Sequence, residues 1–328
     1  MRVLVTGGAG YIGSVVVEAL LAAGADRVVV LDDLSTGHEA SVMAPASFAR
    51  GDIADQSLVE KLCRSERIDA VVHMAASSQV AQSVADPARY YDNNVTKGLR
   101  LLEALRSAAV ARIVFSSTAA VYGEAPEVPI DELVLAAPNN PYGDTKLAFE
   151  RALSWYDPAY GMKFVSLRYF NAAGATARNG EQHVPETHLI PLVLDVARGT
   201  RASVQIYGED YPTPDGTCIR DYVHVSDLAR AHVMAIDHLA QRAQSEVYNL
   251  GSGGGYSVQQ VIDTARAVTG CPIRTVSAAR RAGDAAVLVA SSARIRQNLG
   301  WTPERQDLTA IVGDAWRWLQ RYPAGYPG

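Results

Sequence analysis

Up to about Asn171 the chain alternates short apolar runs with longer stretches in which apolar residues return every three to four positions. The runs Arg2–Thr6, Arg27–Leu31, Ser47–Arg50, Ala70–Met74, Arg112–Ser117 and Lys163–Arg168 predict strands. The stretches near Ile12–Ala23, Ser57–Ser65, Pro87–Ala109 and Pro141–Tyr156 predict helices. Strands that alternate with helices need crossover connections, and these make a parallel sheet with helices on both faces. Arg27–Leu31 lacks polar alternation, as a strand covered on both faces requires. The expected fold is α/β: a Rossmann-type doubly wound parallel sheet.

Beyond Asn171 the texture changes. Stretches rich in Gly, Pro, Thr and Asp, at Ala172–Pro185 and Gly208–Thr217, separate shorter elements. Residues 1–170 are expected to form one unit and residues 171–328 mainly a smaller C-terminal lobe that holds the substrate. The helical run Val225–Leu239 and the strand run Glu246–Leu250 are expected to rejoin the main sheet, adding 224–250 to the first unit.

Composition narrows the class. The 328 residues are 48% hydrophobic and 20% charged, which supports a large core and excludes a disordered chain. Lys plus Arg number 30 against 35 Asp plus Glu, so no basic excess points to nucleic acid or an anionic membrane. Cys63, Cys218 and Cys271 are far apart, which argues against a disulfide framework or a zinc ribbon. The seven histidines show no HExxH and no close cluster, and no metal site is expected. Met1–Val5 run straight into a glycine turn, and no apolar stretch approaches the ~18 residues that cross a bilayer. A soluble, cytoplasmic protein is expected.

Val3–Gly13 reads as a strand, a glycine turn and a helix start. Gly7, Gly10 and Gly13 allow a tight turn, close backbone approach to a pyrophosphate and close helix packing, with the helix N-terminus facing the anion. Asp32 follows the second strand, where a carboxylate accepts hydrogen bonds from ribose hydroxyls and repels a 2′-phosphate. Asp33 adds a second negative charge, and both favour NAD over NADP. Asp52, after the third strand, is placed to reach the adenine amino group.

Tyr142 and Lys146 stand four residues apart at a helix start, hence on one face. A phenol with pKa about 10 is a poor base at neutral pH. An adjacent ammonium and a positive nicotinamide ring would favour phenolate. Lowering that pKa by ~3 takes roughly 4 kcal/mol of differential stabilisation. Ser116-Ser117-Thr118 end the preceding strand, where ligands of open parallel sheets bind. Hydroxyl, phenol, ammonium and dinucleotide turn together describe hydride abstraction from a secondary alcohol.

Several motifs extend this over nearly the whole chain: Thr6–Ser14, Tyr90–Val95, Ser116–Thr118 with Val121–Gly123, Pro141–Lys146, Leu167–Asn171, Gly208–Thr217 and Ile219–Val225. In these the chain resembles the extended short-chain dehydrogenase/reductase superfamily and, within it, the UDP-galactose 4-epimerase family. The loop Asp210–Thr217 running into Arg220-Asp221-Tyr222 is the more specific feature. The resemblance implies Tyr142 as general base, Thr118 as its hydroxyl partner, and Lys146 as the group that holds the nicotinamide ribose and lowers the phenol's pKa. For NAD it implies Gly7, Gly10, Tyr11, Ile12, Gly13 and Asp32, then Asp33, Leu34, Ser35, Thr36 and Gly37. Asp52, Ile53, Met74, Ala75, Ala76, Ser78, Asn93 and Phe170 complete that set, with Thr118, Tyr142 and Lys146. For the UDP-sugar it implies Asn171, His188, Leu189, Gln205, Ile206, Tyr207, Arg220, Arg281, Asp284 and Leu288, again with Thr118 and Tyr142.

By the resemblance, NAD stays bound through each cycle and UDP-glucose and UDP-galactose interconvert through a transient 4-keto sugar. Ser78 stands where some members carry lysine, and His188 replaces an asparagine-type contact. Leu288 stands where a tyrosine narrows the sugar pocket, so UDP-N-acetylglucosamine and UDP-N-acetylgalactosamine are further expected substrates. A UDP-pentose (arabinose or xylose) or UDP-uronate 4-epimerase shares most of these residues. A 4,6-dehydratase needs acids where Ala119 and Ala120 stand. A silent NAD-binding regulator would be expected to lack Tyr142 or Lys146. The helices from Pro87 and Pro141 are expected to form a homodimer interface, as in the family.

Overall fold

Val3 and Val5 turn to one face of their strand and Leu4 to the other, and a layer of helices covers each face. The computed structural model of the protein describes residues 1–125, 127–281 and 284–327. The chain begins β1 (Arg2–Thr6), α1 (Tyr11–Ala22), β2 (Arg27–Asp32), β3 (Ser47–Arg50), α2 (Gln56–Ser65) and β4 (Ala70–His73). It continues with α3 (Val80–Ala85), α4 (Pro87–Tyr90), a wider π turn at Tyr91–Thr96 and α5 (Lys97–Ser107). Then come β5 (Arg112–Thr118), α6 (Pro141–Tyr160) and β6 (Lys163–Tyr169).

The second half runs β7 (Asn171–Ala173), α7 (Leu189–Ala197), β8 (Val204–Tyr207), β9 (Ile219–Arg220), β10 (Tyr222–His224), α8 (Val225–Arg242) and β11 (Glu246–Leu250). It ends with β12 (Tyr256–Ser257), α9 (Val258–Thr269), β13 (Thr275–Ala278), β14 (Val287–Leu288), α10 (Ala293–Leu299) and α11 (Leu308–Arg321).

The central sheet has seven strands, ordered β11-β6-β5-β4-β1-β2-β3, and every pairing in it is parallel. The order reverses beside β1, the switch point where open α/β sheets bind ligands. β11 pairs with β6 in parallel, from Glu246 opposite Val165 to Leu250 opposite Tyr169. Val15, Val16 and Leu20 of α1 pack with Leu228, Ile236 and Leu239 of α8 on one face of the sheet. Val59 of α2, Leu101 and Leu105 of α5, and Phe149 and Leu153 of α6 cover the other.

A separate core of Val193, Leu194, Ile206, Val261, Ile262, Ile311 and Val312 holds α7, β8, α9 and α11 together. A smaller cluster of Val121, Tyr122, Ile130, Leu147, Phe170 and Ala290, with Leu288 against it, joins this lobe to the sheet near the end of β5.

The helix expected over Pro87–Ala109 is interrupted by the π turn. Asn94 lies in that turn: its side chain accepts from the Ser77 backbone N–H at 2.8 Å, and it donates to the Ser77 carbonyl and to Thr145 Oγ1 at 3.0 Å each. A short π segment inside an α-helix frequently marks a functional position. α6 outlasts its expected end and stops at Gly161, which takes the left-handed φ of 69°. No helix among the described residues is long and apolar enough to cross a membrane. The three cysteines are free, Cys63 and Cys218 being buried.

Candidate active site

The residues singled out for NAD and for the chemistry stand at or after the carboxyl ends of β1 to β6, and most of those for the UDP-sugar lie in the second lobe. At the end of β1, Gly7 has φ 72°, and a Cβ there would lie 2.5 Å from the Ala75 backbone nitrogen. A Cβ at Gly13 would lie 2.1 Å from the Gly7 carbonyl oxygen. The chain's own packing therefore demands both glycines. Gly10 differs: a Cβ there would meet only the Gly7 carbonyl, at 3.3 Å. Gly10 is also the N-cap of α1, and no side chain caps that helix. Its first-turn N–H groups and positive dipole end face the cleft bare, which suits a pyrophosphate.

Asp32 ends β2, almost fully buried. Its carboxylate accepts from the Ala9 N–H at 3.0 Å and the Leu34 N–H at 2.9 Å. Burial raises its pKa, and these two donors work against the rise. Asp33 is exposed and accepts from the Ser35 N–H at 2.8 Å. Ser35 and Thr36 are exposed, while Leu34 and Gly37 are half-buried. A bare helix N-terminus beside a buried acid at the next strand end fits the pyrophosphate and ribose of NAD.

Asp52 accepts from the Lys97 ammonium at 2.6 Å and from the Ala54 N–H. Burial pushes its pKa up, but these partners hold it below the usual value. Lys97 went unnoticed in the sequence, where 45 residues separate the pair. Ile53 is buried in the core cluster that α2 covers, so its side chain is turned away from solvent. Met74 and Ala75 follow β4, and both their N–H groups donate to the Thr6 carbonyl. Ala76 and Ser78 continue that segment, and Asn93 donates to Ser77 Oγ at 3.3 Å from the π turn. Phe170, after β6, is buried, and its N–H donates to the Leu250 carbonyl.

Asn140 caps α6 by accepting from the Gly143 N–H at 2.9 Å, and Pro141 opens the helix. Tyr142 and Lys146 therefore occupy its first two turns. Burial pushes the Tyr142 phenol up to about 12; a hydrogen bond from the Thr118 side works against this, and Tyr90 adds to the rise. That is the phenol by itself; the lowering expected from sequence also rests on the positive nicotinamide ring of the bound cofactor. The Lys146 ammonium donates to the Ser116 carbonyl at 2.8 Å and sits 4.9 Å from the centre of the Phe115 ring.

Burial lowers Lys146 to about 7, against a raising influence of Glu150. A cation with a depressed folded pKa binds fewer protons folded than unfolded between pH 7 and the ordinary 10.5, so stability rises with pH across that window. The melting temperature of the wild type is expected to climb relative to Lys146→Met as pH goes from 7 toward 10.5. Parallel melting curves would contradict the buried cation.

Behind these groups lies a polar network that the sequence reading missed. Glu150, one turn beyond Lys146, accepts three bonds from Arg168, two from Nε and one from Nη2, and one from Ser117 Oγ. Arg168 also donates to Tyr122 Oη at 2.9 Å, and Tyr122 donates to Asn249 at 2.7 Å. Ser116 and Tyr169 share a hydroxyl contact beside it. The only sequence signal for this network was the i,i+4 step from Lys146 to Glu150.

The expected UDP-sugar residues come from the second lobe. Arg220 pairs with Asp284 at 3.3 Å and donates to the Ala285 carbonyl at 2.8 Å. Leu288 stands opposite Arg220 across the β9–β14 pairing. The Arg281 guanidinium lies 3.8 Å from the centre of the Tyr207 ring, and Tyr207 donates to Gln205. Asn171 donates to the Asp221 carbonyl at 3.2 Å. Ile206 is turned into the lobe core, unlike its neighbours Gln205 and Tyr207. His188 and Leu189 mark the start of α7. His183 and His188 come within 5.4 Å, ring centre to ring centre, where no close histidine cluster was expected.

A seven-stranded parallel sheet with this strand-end constellation defines an NAD-binding α/β enzyme of the extended short-chain dehydrogenase/reductase superfamily. The model of the NAD dependent epimerase/dehydratase family matches residues 3–251, and the chain belongs to that family. It is 53% identical to the UDP-glucose 4-epimerase of Streptomyces lividans over 328 residues, 99% of this chain and 98% of that one. It resembles the crystal structure of UDP-glucose 4-epimerase from Brucella ovis in complex with NAD, at TM-score 0.94 and 44% identity over 96% of this chain and 97% of that one. The Bifidobacterium longum UDP-glucose 4-epimerase in complex with NAD+ and UDP matches at TM-score 0.94 and 38% identity, over 99% of this chain and 100% of that one.

Proposed function

We propose that this protein is an NAD-dependent 4-epimerase that interconverts UDP-glucose and UDP-galactose through a transient 4-keto sugar. The observation that carries this reading is Thr118, Tyr142 and Lys146 converging on the end of β5, beside the uncapped start of α1. Residues 1–170 with 224–250 hold NAD, and the remainder of the chain mainly holds the nucleotide sugar. Gly10, Tyr11, Ile12 and Gly13 take the pyrophosphate and Asp32 the ribose, with Asp33 to Gly37, Asp52, Ile53, Met74 to Ala76, Ser78, Asn93 and Phe170 around the rest.

NAD held there would supply the acceptor and donor for the carbon 4 hydrogen, and its positive ring would favour the phenolate of Tyr142. Tyr142 removes the proton from the 4-hydroxyl and later returns it, while Thr118 shares that proton. Lys146, fixed by the Ser116 carbonyl, holds its charge next to the reacting end of α6. Arg220 and Arg281 grip the diphosphate through charge-assisted bonds. Remote binding of this kind lets the sugar turn within a loose pocket while the nucleotide stays anchored. Conversion of UDP-galactose to UDP-glucose by the purified protein tests the reading; binding of NAD without turnover would leave only a regulator.

Leu288 leaves room that a tyrosine would fill, so UDP-N-acetylglucosamine should also react. Leu288→Tyr is expected to lower kcat/KM for the N-acetyl sugar more steeply than for UDP-galactose, by about tenfold. Equal losses would place the discriminating contact elsewhere. Val84 and Trp155 are 63% and 75% exposed on α3 and α6, and with Tyr91, Leu99 and Tyr160 they support a homodimer through these helices. Sedimentation at the monomer mass would remove that support. Free cysteines, two of them buried, suit a cytoplasmic enzyme.

A further inference from the structure

Between β7 and α7 the sequence Glu181-Gln182-His183-Val184-Pro185-Glu186-Thr187-His188 turns four side chains toward one point. One ligand atom from each of Glu181, His183, Glu186 and His188 lies within 4.8 Å of all the others. His188 Nδ1 is 2.7 Å from Glu181 Oε1 and 2.8 Å from Glu186 Oε1, and His183 Nδ1 is 3.2 Å from Glu181 Oε1. The Glu181 side chain is only 9% exposed. Among the described residues its carboxylate meets these two imidazoles and receives no backbone N–H and no hydroxyl. A carboxylate so buried calls for a cation at that point.

We propose that Glu181, His183, Glu186 and His188 form a four-ligand site for a divalent transition-metal ion of the zinc type. Two imidazoles with two carboxylates suit zinc, whereas calcium and magnesium take oxygen ligands. Bonds of about 2.0–2.2 Å in a tetrahedron set neighbouring ligand atoms roughly 3.3–3.6 Å apart, so the contacts of 2.7 and 2.8 Å open and the wider ones, within 4.8 Å, close around the ion. Because the protein supplies all four ligands, the ion is structural and leaves no position for a reacting water.

Its effect falls on the lip of the cleft. The His183 ring stands edge-on to Tyr11 at 6.5 Å, the Gln182 carbonyl meets His38 at 3.3 Å, and Gln79 donates to the Pro185 carbonyl at 3.2 Å. The ion stiffens this segment and with it the start of α7, and these contacts carry the effect to the elements that flank the glycine turn. His188 uses Nδ1 in the cluster, which leaves its other ring nitrogen outside it. His188 is shared with the proposed nucleotide-sugar residues, but Glu181, His183 and Glu186 are not, so failure of the epimerase reading leaves the metal site in place.

A proton shared between His188 and the carboxylates is the rival occupant, and titration of the full chain separates the two. Protein dialysed against a chelator is titrated with zinc chloride by calorimetry and with cobalt(II) by visible absorption. One zinc ion per chain, an intense tetrahedral cobalt spectrum and no competition from excess magnesium are expected. His183→Gln and Glu186→Gln are each expected to weaken zinc by at least the roughly 10–100-fold that loss of an outer-shell partner costs. Their melting curves in chelator confirm that they fold. The assignment is overturned if the folded wild type binds no zinc saturably, if magnesium competes equally, or if both folded variants bind zinc like the wild type.

Discussion

Tyr142→Phe is expected to lose turnover of UDP-galactose by about a hundredfold to ten-thousandfold, the usual contribution of a positioned acid–base group, while NAD stays bound. The substitution removes one oxygen and leaves the ring packed at the start of α6. The residues proposed for the pyrophosphate and ribose stand on other elements, α1 and the end of β2, so cofactor content should not change. Burial alone pushes the phenol up to about 12, so the protein without its cofactor does not offer a phenolate at neutral pH. The base must therefore be generated within the loaded site, and phenylalanine cannot supply it. Steady-state rates together with NAD content per chain check this. Wild-type rates in the variant would transfer the proton to another group, with Thr118 the first to examine.

The second large effect is structural. Glu150→Gln is expected to destabilise the protein by about 3–5 kcal/mol, because it leaves the Arg168 guanidinium buried without its counter-charge. Both side chains are nearly inaccessible, at 9% for Arg168 and 5% for Glu150. The loss reaches the catalytic groups because Ser117, which donates to Glu150, adjoins the Ser116 carbonyl that holds Lys146. Replacing both partners with apolar residues, Glu150→Met with Arg168→Leu, should cost less than Glu150→Gln alone, since no charge is then stranded. Thermal melting of the three variants decides between the cases. If the double variant is the least stable, the pair is a net source of stability.

The central sheet was legible because strands buried on both faces read as continuous apolar runs. Val28-Val29-Val30 needs no partner to be recognised. The glycine turn, Asp32 and the Tyr142–Lys146 step were legible for a similar reason: each is local in sequence and tied to a predicted element. The π turn was not, since a change from four to five residues per hydrogen bond leaves the apolar pattern nearly unaltered. Helices α7, α9 and α11 bury their apolar faces mainly against one another, so nothing in the strand–helix alternation announced them.

Long-range polar partners were the other gap. Lys97 with Asp52 and Glu150 with Arg168 pair only once the strands are aligned, and Asn94 reaches Ser77 and Thr145 only from the widened turn. Glu181, His183, Glu186 and His188 lie within eight residues of sequence, yet their convergence depends on the path of a loop that no periodicity describes. Sequence shows the nearness of an ammonium to Tyr142 but not the burial that, before the cofactor's charge is counted, pushes the phenol up.

Following the sugar's own hydrogen tests the account most directly. UDP-galactose carrying deuterium at carbon 4 is converted by the purified protein in ordinary water, and the product is read by mass spectrometry. The account predicts UDP-glucose that keeps its deuterium at carbon 4, because the hydrogen is stored inside the site and returned to the opposite face. Product that has exchanged the label for solvent hydrogen would contradict it.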